Sequence, residues 1–375
     1  MKIAIGIDLE WPFEHHYGIA KGILDYGKEK GWQCSLVPWM EKTEGHYELK
    51  NEYDGVISRA TPSLAEVCKK EGTPLVNVWY NSPVKDIPLV SLNGEELGRK
   101  MADYFLKKGF KNIVFLGPEE DRVGLVIHKG MSSLMSKYDL ECKSLFTESP
   151  RQEKEWKSFF SQLDKWINKF QLPLAVACLD HLTARYLIEW CKSHNYMVPD
   201  DLAILSGFSN HLICESFEPS LSHVENIYDE IGYKAAAVLD DLMSGKNVER
   251  TTFISPGDLR ERRSTDVEPV SDRFIARAMR FIWDNSVDPI QVESVATYMK
   301  MSRRSLERRF RKVLDRTVNE EILRTRVERA KRMLKHTDKT AKAIAEESGF
   351  ASNQRMSQVF REKFGMTALE FRNEK

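Results

Sequence analysis

Residues 301–310 read MSRRSLERRF, with arginine at 303, 304, 308 and 309, and Leu306 and Phe310 four residues apart. On a helix that spacing buries Leu306 and Phe310 on one face and sends guanidinium groups to the other. Arginine offers a planar fork of donors that fits phosphate oxygens or the O6/N7 edge of guanine. Fifty residues on, ASNQRMSQVF repeats the pattern: Ser302 meets Ser352, Leu306 meets Met356, Phe310 meets Phe360, Arg311 meets Arg361 and Thr317 meets Thr367. Just upstream, Val295–Ala296 matches Ile344–Ala345 at an offset of 49. The outward positions of the second copy carry Asn353, Gln354, Arg355, Ser357 and Gln358. Asn and Gln can grip adenine N6/N7 with both ends of the amide.

Each copy reads as a short helix, a tight turn and a helix capped by serine, which is helix-turn-helix geometry. Gly349 provides a left-handed turn in the second copy. Lys300 stands at that place in the first, so the first turn is expected to differ slightly. The segment 317–336 spaces Ile322, Val327, Ala330 and Leu334 as on one helix. Twenty such residues span about 30 Å, enough to hold two recognition helices about one DNA turn apart, roughly 34 Å. The residues expected to contact bases are Arg303, Arg304, Glu307, Arg308, Asn353, Gln354, Arg355 and Gln358. Those expected to touch the phosphate backbone are Ser302, Arg311, Lys312, Arg324, Ser352, Arg361 and Lys363.

Charge follows the same division. The 375-residue chain has no net charge, yet residues 271–375 hold 24 Lys+Arg against 15 Asp+Glu, leaving 32 basic and 41 acidic residues to the first 270. A +9 end on a −9 body suggests a module for a polyanion. The composition, 42% hydrophobic and 30% charged, is that of an ordinary globular chain of two or three domains. No run of about 18 apolar residues suggests a membrane span, and MKIAIGIDLE reads as a first strand rather than a signal peptide. A cytoplasmic protein with no membrane partner is expected. Cysteines 34, 68, 142, 178, 191 and 214 show no CxxC or zinc spacing and read as reduced, packed thiols.

In the first 265 residues, short β-branched runs alternate with amphipathic stretches. KIAIGI, SLVPW, DGVIS, PLVNV, NIVFLG, SLFT, LAVACL, LAILSG and TTFIS read as strands, and 16–30, 62–71, 94–108, 152–170, 182–195 and 226–244 as helices. Such alternation implies parallel sheets covered by helices, and its length implies two lobes. Ligands bind such sheets beyond the carboxyl ends of the strands. There is no G-x-G-x-x-G, P-loop, H-E-x-x-H or G-x-S-x-G, and no nucleophile–base pair can be assembled. No enzyme activity, cofactor or metal is expected. His15 and His16 diverge by roughly 100° on a helix and cannot chelate from one face.

VSLNGEELG at 90–98, KKGFKNIVFLG at 107–117, PDDLAILSGFSN at 199–210 and IGYKAAAVLDDL at 231–242 resemble the LacI-type sensor domain, as does SPGDLRERRST at 255–265. A-x-x-x-G-F-x-S at 345–352, followed by F-x-x-x-F-G-M-T-x-x-E-F-R at 360–372, resembles the AraC-type DNA-binding domain. Arg355–Met356 stands where an aromatic pair is common, and Thr367–Ala368 lacks the usual proline. The order of sensor then reader is that of xylose-responsive transcription activators.

The resemblance implies a two-lobed periplasmic-binding-protein-like α/β sensor and dimerisation domain at 1–265, a linker at 266–272, and an all-α double helix-turn-helix domain at 273–375. It implies a homodimer on double-stranded DNA, an activator of carbohydrate-utilisation genes that contacts RNA polymerase, and a small effector, a sugar in many relatives. The sensor departs from the sugar-binding pattern at three places. Ile127 holds the place of an arginine, Leu179 that of a polar residue and Ser209 that of an acid. Two expectations therefore stay open: a sugar sensor with an altered pocket, or a regulator answering another effector or a protein partner. The ligand candidates are Asp8, Trp11, Arg59, Trp79, Arg122, His128, Asp180 and Asn210.

Overall fold

The computed structural model describes residues 1–7, 9, 15–37, 52–119, 121–148, 153–209, 211–267, 270 and 272–373. The chain divides into two compact units, 1–268 and 269–375.

The first unit is built on two six-stranded sheets. One sheet joins β1 (Lys2–Gly6), β2 (Gln33–Leu36), β3 (Gly55–Ser58), β4 (Leu75–Asn77), β5 (Leu89–Leu92) and β11 (Thr251–Ile254) in the order β11-β5-β4-β3-β1-β2, all parallel. The other joins β6 (Ile113–Pro118), β7 (Lys143–Thr147), β8 (Leu174–Asp180), β9 (Leu202–Ser209), β10 (Ser222–Glu225) and β12 (Leu259–Arg260) in the order β12-β10-β9-β8-β6-β7. Only β12 runs antiparallel. The central strands β3, β8 and β9 are buried along nearly their whole length and are mostly apolar, because helices cover both faces. The chain passes between the lobes three times: after β5 into the helix Gly94–Lys107, after β10 into the helix Tyr228–Met243, and between β11 and β12.

Helix Gly94–Lys107 lies directly against helix Arg122–Met135. A Cβ at Gly98 would fall 2.0 Å from the Ile127 carbonyl oxygen, and one at Gly130 2.1 Å from that of Glu95. Only glycine lets the two backbones approach so closely.

Each of the nine runs read as strands meets a strand, SLVPW only through Ser35–Leu36 because 38–39 lie outside the described residues; β12 falls in the 255–265 segment, and β5 and β10 are additional. β5 is four residues long and runs almost directly into Asn93, whose side chain caps the next helix by accepting from the Glu96 N–H. β10 hides its polar residues: Ser222 and His223 are fully buried, with Ser222 bonded to Ser264, Thr265 and Arg262. Helices Arg122–Met135 and His211–Ser216 are further elements beyond the amphipathic stretches named above. All six cysteines are free, five of them buried. Burial pushes the Cys68 and Cys142 thiols up to about 12, which leaves them protonated and unreactive.

Among the described residues of the second unit, the regular elements are all helices: Arg273–Asn285, Val292–Tyr298, Arg303–Leu314, Val318–His336, Ala341–Glu347, Asn353–Phe364 and Ala368–Asn373. Leu306 and Phe310 anchor one apolar core, Met356 and Phe360 a second, and all four are fully buried.

Candidate nucleic-acid interface and sensor cleft

The two copies share one backbone frame. Ser302 accepts from the Ser305 N–H at 3.2 Å and Ser352 from the Arg355 N–H at 3.1 Å, each opening its helix. Asp315 and Gly365 close those helices in left-handed conformation, at φ 53° and 73°. Thr317 with Glu320, and Thr367 with Glu370, then form the same reciprocal cap on the helix that follows. The turns also agree. Lys300 takes φ 53° where Gly349 takes 83°, so the expected difference in the first turn is not found. The turn demands a left-handed residue, and an exposed lysine tolerates the strain.

On the outward faces, Arg303, Arg304, Arg308, Arg311 and Lys312 are exposed in the first copy. Asn353, Gln354, Arg355, Gln358, Arg361 and Lys363 are exposed in the second. Gln358 donates to Glu362 at 2.8 Å, and Arg303 is ion-paired to Glu293 of the preceding helix. Both pairs lie on the surface, where such contacts contribute little.

Two of the residues expected to contact DNA have partners within the protein. Glu307 accepts from the Val318 N–H at 3.3 Å, at the start of the next helix, where the helix pole favours a carboxylate. Arg324 is committed to Glu321 through two nitrogens, at 2.7 and 3.0 Å. Glu321 is only 1% exposed and is held from its other side by Arg316. A buried carboxylate needs such charged partners, and Arg324 is one of them.

The role of Arg309 was missed. It grips Asp272 with two hydrogen bonds of 2.8 Å, its guanidinium 4.6 Å from the Phe274 ring centre. Asp272 in turn caps helix Arg273–Asn285. Burial pushes the Asp272 carboxyl up, but Arg309 and the N–H groups of Ile275 and Phe274 outweigh it and hold the group below its usual value. The clue was the four-arginine cluster itself, since residue 309 lies beside Phe310 on the half-buried flank of the helix.

In the first unit, Arg59 follows β3 and Trp79 follows β4, with the Arg59 guanidinium 4.4 Å from the Trp79 ring centre. Asn77, almost fully buried, holds both loops by accepting from the N–H groups of Ala60 and Trp79. Asp180, at the end of β8, accepts from the Thr183 N–H at 2.8 Å and so caps its helix. Across the cleft, Asn81 of the first lobe donates to Asp121 of the second and accepts from the Arg122 N–H, both at 3.1 Å. The Arg122 side chain is exposed.

His128 does not join this group. Its Nε2 lies 2.9 Å from the Cys142 carbonyl, and its ring packs near Phe115 and Phe146. Ile127 and Leu179 are buried in the core, and Ser209 is buried with its hydroxyl donated to Ser206. Asp8, Trp11 and Asn210 lie outside the described residues. Among the described residues no helix is long and apolar enough to cross a membrane.

Residues 102–265 match the family described as periplasmic binding protein-like domain, and residues 295–374 the helix-turn-helix domain family. A xylose operon regulatory protein of Haemophilus influenzae is 32% identical over 218 residues, 58% of this chain and 56% of that protein. A xylose operon regulatory protein of Escherichia coli is 25% identical over 219 residues, with the same coverage. The match thus spans little more than half the length of these curated relatives. The solved structure described as xylose-binding transcription activator xylR is similar at TM-score 0.76 and 19% identity, covering 99% of this chain and 97% of that one. That likeness establishes the fold: a two-lobed α/β unit followed by a helical unit.

Proposed function

We propose that this chain, which joins a periplasmic-binding-protein-like sensor to an AraC-type helix-turn-helix reader, is a cytoplasmic, effector-controlled activator of carbohydrate-utilisation genes. It binds double-stranded DNA as a homodimer, engages RNA polymerase and catalyses no reaction. The observation that carries this reading is the duplicated frame. Two serine-capped helices in equivalent settings each leave a row of exposed donors free of the core.

Arg303, Arg304 and Arg308 suit guanine, and Asn353, Gln354, Arg355 and Gln358 suit adenine or guanine. Ser302, Arg311, Lys312, Ser352, Arg361 and Lys363 flank them and suit phosphates. We assign the sensor to 1–265 and the reader to 273–375, joined through 266–272.

In the sensor, the Arg59–Trp79 pair gives an aromatic and cationic wall, and Asp180 an acceptor, for a small polyol such as a pentose. Closure over the ligand is held by the Asn81–Asp121 contact between the lobes. A second reading is favoured by Ile127, Leu179 and Ser209. All three are buried, so the charged groups that grip sugars in related sensors have no counterpart there. On that reading the sensor answers a different effector or a protein partner.

The test is binding of the full chain to promoter fragments from its own genomic neighbourhood, with and without pentoses, hexoses and sugar phosphates. Specific binding that changes with one pentose supports the sugar sensor, and specific binding indifferent to every sugar supports the second reading. Absence of any sequence preference would overturn the DNA-binding function.

A further inference from the structure

The two helix-turn-helix units have separate cores, and the helix Val318–His336 runs from one to the other. Val318 and Ile322 belong to the first core, Val327, Ala330 and Leu334 to the second. A single helix joining two small cores leaves their relative angle weakly fixed unless something beyond it grips both.

That grip is built around one carbonyl. Helix Arg273–Asn285 ends at Ser286, and the last carbonyls of a helix have no partner within it and carry its negative pole. Arg326 of the connecting helix donates from Nε to the Ser286 carbonyl at 2.8 Å and from Nη2 to that of Asp288 at 2.9 Å. One turn on, Arg329 donates to the Trp283 carbonyl at 2.7 Å, with its guanidinium 5.0 Å from the Trp283 ring centre. The third side is the turn of the second unit. Gly349 lies so close that a Cβ there would be 2.0 Å from the Ser286 oxygen and 3.0 Å from Arg326 Nε. Ser286 is fully buried. The end of the first helix, the connecting helix and the second turn therefore meet at one point.

We propose that Arg326 and Arg329 are positioning residues that lock the two recognition helices at one mutual angle and spacing, so that the chain accepts its two DNA subsites at a single separation. The proposal rests on the DNA-reading function above. The role asks neither residue to touch DNA, because it rests on their bonds to these three carbonyls. The gain from holding two modules at matched geometry is an effective-concentration effect, and loosening the joint gives part of it back.

The test uses the full chain and the duplex it selects from a random pool. Variants of that duplex carry the two recognised blocks at native spacing, one base pair closer or farther, or about five base pairs farther, half a helical turn. A further duplex has one block scrambled. The wild-type chain should bind the native spacing best and lose most of its advantage at half a turn.

Arg326→Ala with Arg329→Ala should bind the native duplex about 10-fold or more weakly. Its spacing profile should be flattened and its affinity for the one-block duplex unchanged. Arg326→Lys, which keeps the charge and one donor, should recover part of the spacing preference. Should the double variant melt, Arg329→Gln alone gives the same profile change at smaller amplitude. Equal loss on one-block and two-block duplexes, or an unchanged spacing profile, overturns the proposal. If the wild-type chain selects no sequence at all, the DNA-reading function fails first and the joint proposal with it.

Discussion

In the first reader copy the turn is made by Lys300 at φ 53°, in the second by Gly349 at φ 83°. Fifty residues apart, Arg309 of the first copy reaches out to Asp272, whereas Val359 of the second is fully buried in its own core. The caps, the left-handed ends and the buried Leu306/Met356 and Phe310/Phe360 pairs stay the same. The frame therefore sets which positions must be serine, apolar or left-handed, and the surroundings decide the rest. Gly349 faces the Ser286 carbonyl, while Lys300 faces solvent and is free to be a lysine.

Gly349→Ala should break the comparison most sharply. It adds left-handed strain to a backbone clash, and a cost of about 2–4 kcal/mol is expected. A thermal melt should show loss of the second reader unit. Arg304→Ala comes next: loss of a bidentate base contact should cost about 1–3 kcal/mol and relax preference at one base position. If Arg304 touched only phosphate, the loss would be even across sequences, which competition with substituted duplexes distinguishes.

Glu307→Ala should leave base preference unchanged and lower stability by about 0.5–1 kcal/mol, as a lost helix-start contact does. A change in sequence preference would return Glu307 to the reading face. Lys300→Gly is the mildest. Relief of about 1–2 kcal/mol of left-handed strain, less about 0.5–1 kcal/mol of added chain freedom, should raise stability slightly in a melt without altering DNA selectivity.

Acid gives a further separation of the two copies. The Asp272 carboxyl is held below its usual value, so its contribution is present above the unfolded value of about 3.9 and is lost as pH falls through the folded one. The first copy should loosen in acid before the second, which has Val359 in place of Arg309. Hydrogen exchange along an acid titration would follow it.

The reader was legible because its signals are local: caps, turn residues and apolar pairs repeat at a fixed offset. What the sequence hid were pairings across distance. Glu307 and Arg324 looked outward by helical spacing, yet the start of a neighbouring helix and the buried Glu321 claimed them. Nothing local marks Arg326 and Arg329, and only the fold brings them to the end of a helix some forty residues earlier. In the sensor, strand–helix alternation showed the two lobes, but β10 carries buried polar residues and so lacked the apolar signature. Its site was least legible, because its residues come from separate strand ends. His128 illustrates the loss: a polar residue near the right helix is spent on the Cys142 carbonyl.

The central claim is that both copies read DNA side by side. Hydroxyl-radical footprinting of the full chain on its selected duplex tests it directly. Two protected blocks on one face of the helix, about one turn apart (10–10.5 base pairs), are expected, with Arg304→Ala weakening one block and Gln354→Ala the other. A single protected block, or one that both substitutions weaken alike, would contradict it.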